Sequence, residues 1–235
     1  MKLGIMQPYF LPYIGYWQLI NAVDKFVIYD DVNYINRGWI NRNYILLNKQ
    51  QFLFSLPLSK SSQNKFINQI TVSENKNKLM KTFATAYGKA PFYNDVAPLV
   101  KQIFEYTDKN LAKFIGNSII KIADHLGLKS SIIYSSEIDK EHSLKGQDKI
   151  LGICNTLKAS EYVNSIGGID LYNKSDFEAN NIKLCFLKTQ PITYKQFNDS
   201  FIPNLSILDV LMFNSVENIK EMLEKYEFCE KENTA

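Results

Sequence analysis

The chain has 235 residues, 46% of them hydrophobic and 22% charged, with a formal net charge of +3 and a pI near 8.5. Such a length suits one large α/β domain, or one domain carrying an insertion. The scattered lysines and a pI below the ~9 of dedicated nucleic-acid domains exclude nucleic acid as the main ligand; no apolar run reaches the roughly 18 residues of a membrane span.

Met1 to Met6 reads as a strand followed at once by Gln7-Pro8, so no signal peptide is expected, and the protein is read as cytoplasmic. Cys154, Cys185 and Cys229 are far apart, without CxxC or Cys/His spacing, and read as reduced thiols. His125 and His142 are isolated from other ligand types, so no zinc site is expected. No motif specifies a cofactor.

Lys2 to Met6 is a short apolar run, the pattern of a buried strand. Pro8 and Pro12 keep Gln7 to Pro12 out of helix. A helix starts near Gly15 and runs through Trp17, Leu19, Ile20 and Val23; Phe26 to Tyr29 is the next strand, ending at Asp30-Asp31. Strand, loop, helix, strand is a right-handed parallel βαβ unit. Ligands of such sheets sit outside the carboxyl ends of the strands, which here carry Gln7 to Tyr13 and Asp30 to Tyr34.

The stretch from Gln7 to Asn43 holds both tryptophans, Trp17 and Trp39, and the only two arginines among 27 basic residues, Arg37 and Arg42. A lysine-rich chain keeps arginine where a planar fork of donors is needed, for carboxylate or phosphate. Asp30 and Asp31 are candidate proton acceptors or magnesium ligands. Their structural alternative is that Asp30 caps a turn while Asp31 pairs with an arginine. Gln7, Tyr9, Tyr13, Gly15, Tyr16, Tyr34, Arg37, Trp39, Asn41 and Arg42 complete the candidate ligand set on this stretch.

Tyr44 to Leu47 and Gln51 to Leu56 flank Asn48-Lys49-Gln50 as a hairpin, and Ile70 to Val72 is a short strand. From 77 to 127 the apolar period is helical, with Gly127 as a C-terminal stop, and this segment reads as an α-helical insertion in a single domain over 1–235. Further strands are expected at Ile132 to Tyr134, Glu161 to Val163 and Ile182 to Phe186, with a helix from Asp148 to Leu157. The alternation gives a Rossmann-like, mostly parallel sheet. Gly167 and Gly168, after the strand at 161–163, either cradle a ligand group or make a tight turn. Ser206-x-x-Asp209 and Asn214-x-x-Glu217 resemble capping boxes, and after Tyr226 the chain reads as frayed.

Pro12-Tyr13-Ile14-Gly15-Tyr16, followed by Leu19-Ile20 and the next strand, resembles the HIGH-type nucleotidylyltransferase superfamily, with Tyr13 and Tyr16 at the two histidine positions. Neutral tyrosine supplies no cation for a transferring phosphoryl group, so nucleotidyl transfer by the usual route is not expected.

The block QPYFLPYIGYWQLI…DKFVIYDDVNYINRGWINRNYI is similar to the WbqC-like family of bacterial surface-polysaccharide gene clusters. That resemblance extends through Ala90-Pro91-Phe92, Tyr162 to Tyr172 and Phe201 to Asn214. It implies a transferase placing an aminoacyl (glycyl) or acyl group on a nucleotide-linked amino sugar. The alternatives are a nucleotidyltransferase-like enzyme with an altered box, or a non-catalytic nucleotide-sugar-binding or scaffold protein. No established catalytic residue comes with the resemblance.

Overall fold

In the computed structural model, which describes residues 1–141, 143–198 and 200–230, period-two alternation along the strands sets the layering. The chain runs β1 (Lys2–Met6), α1 (Ile14–Ala22), β2 (Lys25–Ile28), the pair β3 (Arg42–Leu47) and β4 (Gln50–Ser55), and the short strands β5 (Leu58–Ser59) and β6 (Thr71–Val72). Helices α2 (Asn77–Tyr87), α3 (Tyr93–Phe104) and α4 (Leu111–Leu126) follow, then β7 (Ser131–Tyr134), α5 (Gly146–Thr156) and β8 (Glu161–Ser165). The chain continues with α6 (Lys174–Ala179), β9 (Lys183–Thr189), α7 (Ile207–Phe213), α8 (Val216–Leu223) and β10 (Tyr226–Cys229).

The main sheet has the order β10-β9-β8-β1-β2-β7. Its first five strands by sequence are parallel, and β10 closes the β9 edge in antiparallel pairing. Numbered along the parallel run, this is the 3-2-1-4-5 order of doubly wound sheets, which reverses between β1 and β8. The N-terminal strands pair parallel from Leu3↔Lys25 to Met6↔Ile28, as their apolar runs predict, so Gln7 and Asp30 emerge at neighbouring strand ends.

Successive residues feed opposite faces. Leu3, Ile5, Val27, Tyr162, Leu184 and Phe186 point into the core under α5 and α6. Phe26, Ile28, Val163, Cys185 and Leu187 point into a larger core with α1, the helices of 77–126 and α7–α8. Gly4 lets α1 approach on that side: a Cβ there would lie 3.3 Å from Phe26 and 3.4 Å from Val23. The helices α2 to α4 lie in the connection between β2 and β7. Asn110 caps α4 by accepting from the Lys113 amide, and Gly127 ends it in the left-handed region at φ 68°.

Three expectations are corrected. Residues 226–229 are an edge strand, not a frayed end: Tyr226 packs on the core, and Glu227 pairs with Lys188 across the ladder at 3.0 Å. The strand is only four residues long and pairs on one side alone, too short for its alternation to stand out from the polar residues that follow. Neither capping box forms. Ser206 caps α7 through the Leu208 amide, but Asp209 turns into the interior, and α8 is capped by Ser215 rather than Asn214.

Trp17 is fully buried, and its indole donates to the Pro12 carbonyl at 3.2 Å. Trp17→Ala removes that bond and opens a cavity, so urea unfolding should show a loss of about 3–5 kcal/mol. A loss under about 1 kcal/mol would contradict this packing.

Candidate functional site

Residues 7–13 leave β1 and enter α1 along a path fixed by their own carbonyls. The Leu11 carbonyl accepts from Asn43 Nδ2 and Ser206 Oγ, both at 2.8 Å. The Pro12 carbonyl accepts from the Trp17 indole and from the Ile207 amide, at 3.2 and 2.9 Å. These bonds hold Leu11 at φ 50°, a left-handed conformation that a bulky side chain adopts only when its surroundings impose it. Phe10 and Leu11 are thereby buried, while Tyr9 and Tyr13 remain half-exposed.

Tyr9, Tyr13, Trp39 and Tyr44 line a cleft of about 470 Å³ with Asn43, Gln51 and Asn204; the Asn43 amide is engaged by the Leu11 carbonyl and the Tyr44 amide, which leaves Gln51 and Asn204 to supply amides to the cleft. Trp39, 49% exposed, packs on Tyr44 with ring centroids 5.7 Å apart. The Arg42 guanidinium lies 5.6 Å from the centre of the Trp39 ring while its Nε donates to the Gly38 carbonyl at 2.9 Å. Burial, reinforced by the nearby Tyr13, raises the Tyr9 hydroxyl above its ordinary pKa, so it serves as a neutral donor. Aromatic faces beside convergent amides suit a polar ring, as in a sugar or a base. A second cleft, of about 360 Å³, shares Tyr13 and Asn204 with the first and extends along residues 189–193 and 201–205. A groove of about 250 Å³ between α2 and α3 is lined by Met80, Phe83 and Tyr93 and carries no amide or carboxylate side chain.

The remaining candidates divide among other roles. Tyr16 is a core residue whose hydroxyl donates to the Gln7 carbonyl at 3.0 Å, and burial raises its pKa strongly. Gln7 is half-buried beside it. Gly15 makes room for protein, since a Cβ there would lie 2.5 Å from the Tyr13 ring and 2.8 Å from Thr189 Oγ1. Tyr34 is buried and donates to Asn41 Oδ1 at 2.8 Å, and Asn41 Nδ2 in turn donates to the Leu56 carbonyl at 2.8 Å. Arg37 is exposed at φ 58°, and no hydrogen bond or ion pair engages its guanidinium among the described residues. Gly167 and Gly168 lie in a 3-10 turn over Ile166–Leu171, capped by the Ser165 hydroxyl, without positive φ.

Asp30 and Asp31 do not line the aromatic cleft. Asp30 is buried, and its carboxylate accepts from the Ser136 amide, the Ser136 hydroxyl and Asn68 Nδ2, at 2.9, 2.7 and 3.3 Å. Those donors come from more than thirty residues away, so this is a long-range tie and not a local turn cap. Asp31 pairs with lysines rather than an arginine: Lys140 Nζ and Lys149 Nζ lie 2.9 and 3.0 Å from its carboxylate, and Ser135 Oγ donates at 2.6 Å. Burial pushes the Asp31 pKa up, but the bonds from Ser135, Lys140 and Lys149 outweigh it and hold the group below its ordinary value.

Asp209, the expected partner of Ser206 in a capping box, is instead a buried carboxylate with no cation beside it among the described residues. It accepts from Tyr87 Oη, Tyr194 Oη and Gln196 Nε2, at 2.9, 2.7 and 2.7 Å. Burial outweighs these neutral donors and raises its pKa. Tyr44, Gln51, Asn204 and Tyr194 also escape the sequence reading, for they lie on separate segments that only the fold assembles. Burial raises the Cys154 thiol to about 12 and the Cys185 thiol to about 11, too high for thiolate nucleophiles. His142 lies outside the described residues, and among those described no group of three or more His, Cys, Asp or Glu is placed to hold a metal.

The chain is a doubly wound α/β protein with an aromatic cleft where β1 meets α1, the strand-end position at which such sheets commonly carry ligands. The chain belongs to the WbqC-like protein family, which it matches over residues 7–221. It is similar to the uncharacterized protein Rv1507c of Mycobacterium tuberculosis (strain ATCC 25618 / H37Rv), with 26% identity over 218 residues, 91% of this chain and 93% of that one. No solved structure matches it. No helix among the described residues is long and apolar enough to cross a membrane.

Asp31→Asn leaves Lys140 and Lys149 buried without their carboxylate, so stability at neutral pH should fall by about 3–5 kcal/mol. The folded pKa of Asp31 lies below its unfolded value, so its contribution is full above the unfolded value and is lost as pH falls through the folded one. Urea unfolding across the acid range should therefore show a shallower acid loss in Asp31→Asn than in the wild type. Parallel pH profiles would contradict this role.

Proposed function

We propose that the aromatic cleft binds a nucleotide-linked amino sugar, and that the protein transfers an aminoacyl or acyl group to that sugar in surface-polysaccharide assembly. The observation that carries the reading is the aromatic lining of Tyr9, Tyr13, Trp39 and Tyr44 with the amides of Gln51 and Asn204, beside Arg42. In this reading the rings stack on the sugar and base, the Gln51 and Asn204 amides bond hydroxyls, and Arg42, with the exposed Arg37 nearby in sequence, holds the diphosphate. The chain acts as one α/β unit, with 77–127 as a helical insertion that supports β3. Asp30 and Asp31, bound to the 135–149 segment, hold the strand ends in place.

Kinship with the HIGH-type superfamily is supported by the doubly wound order and by the position of Tyr13 at the N-cap of α1. Nucleotidyl transfer is less favoured, because the Tyr16 hydroxyl, at the second histidine position, is bonded to Gln7. A second reading, a nucleotide-sugar-binding protein without catalysis, is favoured by one observation: among the described residues no Asp, Glu, His or Cys lines the aromatic cleft.

Calorimetric titration with a uridine diphosphate amino sugar tests the binding. Trp39→Ala should weaken it by about three- to ten-fold, as expected for loss of a stacking ring. Arg42→Lys should weaken it by about ten- to hundred-fold, because the planar fork is lost while the charge remains. If both variants bind like wild type and melt several degrees lower, these residues are scaffolding. Mass spectrometry of the bound sugar, after incubation with acyl thioester or aminoacyl donors, separates transfer from binding alone.

A further inference from the structure

We infer that the second cleft, at the carboxyl end of β9, is the subsite for an uncharged apolar acyl chain on the donor. This inference rests on the proposed function and narrows its donor from aminoacyl or acyl to acyl. The two clefts meet at Tyr13 and Asn204, which line both, so a group in the second lies beside a sugar amine in the first. Gly15 fixes that partition: with no side chain it leaves the space that the Tyr13 ring fills next to Thr189.

The chemistry of the second wall selects the occupant. Ile14, Ile192, Phe201 and Leu205 supply its apolar surface, and among the described residues no charged side chain lines it. Tyr194 also lines the cleft, but its hydroxyl donates to the buried Asp209 carboxylate, so it adds ring surface rather than a free polar group. Asp209 itself is fully buried and holds three donors, and is therefore closed to an ammonium group in the cleft. A glycyl donor would bring an ammonium ion to a wall without a counter-charge, at a heavy desolvation cost. A hydrocarbon chain has no such cost and gains from each methylene buried. Gln190 and Thr193 also line the second cleft, and Asn204, shared with the first cleft, offers the carboxyl end of the chain a polar partner on that side.

The whole chain, titrated with acetyl, butyryl, hexanoyl and octanoyl thioesters of N-acetylcysteamine, gives the direct test. Affinity should rise roughly four-fold per methylene until the cleft is full, and the glycyl thioester should bind more weakly than the butyryl one. Ile192→Trp fills the cleft and Thr193→Asp places a charge on its exposed wall. Each should weaken the hexanoyl probe by at least about ten-fold while a uridine diphosphate amino sugar binds as to wild type. Sugar binding without chain-length dependence, tighter binding of the glycyl probe, or hexanoyl binding unchanged in both variants overturns the inference and leaves the proposed function standing. Chain-length-dependent acyl binding with no sugar binding supports the apolar cleft and overturns the proposed function instead.

Discussion

Two consecutive carbonyls, those of Leu11 and Pro12, are the point on which the arrangement depends. They accept from α1 through Trp17, from β3 through Asn43, and from the start of α7 through Ser206 and Ile207. Segments almost two hundred residues apart in sequence thus share one short stretch of backbone. The left-handed Leu11 is tolerated because these bonds over-determine it. The same bonds turn Tyr9 and Tyr13 outwards, so the strain is stored where the cleft is made.

The charged groups at the strand ends and the neutral groups in the cleft have separate duties. Asp31 is matched by two lysines and lies below its ordinary pKa, and Asp209 is matched only by neutral donors and lies above it. Both tie distant elements together: Asp31 secures the segment entering α5, and Asp209 secures the 190–205 connection and α2 to α7. Asp30, Asp31 and Asp209 are bonded within the frame and none lines the aromatic cleft, so recognition in the proposed function rests on stacking and hydrogen bonding. Catalysis in such a cleft would come from holding two reactants in register rather than from a strong base.

The fold was legible wherever one period dominated. Buried parallel strands announce themselves as short apolar runs, as at Lys2 to Met6, and α4 shows a long helical stripe ending at Gly127. The strand order was not legible, because pairing of β1 with β8 joins residues 159 apart, Lys2 and Glu161, with no local signal to link them. The candidate cleft was legible in part. The unusual composition of residues 7–43 points to Tyr9, Tyr13 and Trp39, which line it, and to Arg42 beside Trp39, but also to Tyr16 and the two aspartates, which do not line it, since sequence does not tell which way a side chain points. Asn204 and Gln51 reach the cleft from segments with no compositional mark of their own. Asp209 shows the limit most plainly: three residues after a serine it looks like a helix cap, and only its partners Tyr87, Tyr194 and Gln196 reveal an interior carboxylate.

Trp17 is fully buried in the core and Trp39 stands half-exposed on the cleft wall, and the chain has no third tryptophan. Fluorine NMR of 5-fluorotryptophan-labelled protein therefore gives one reporter for the frame and one for the site. On titration with a uridine diphosphate amino sugar, the Trp39 resonance should move saturably while that of Trp17 stays in place. A Trp39 resonance that does not move at saturating sugar, or movement confined to Trp17, would contradict the assignment of this cleft as the ligand site.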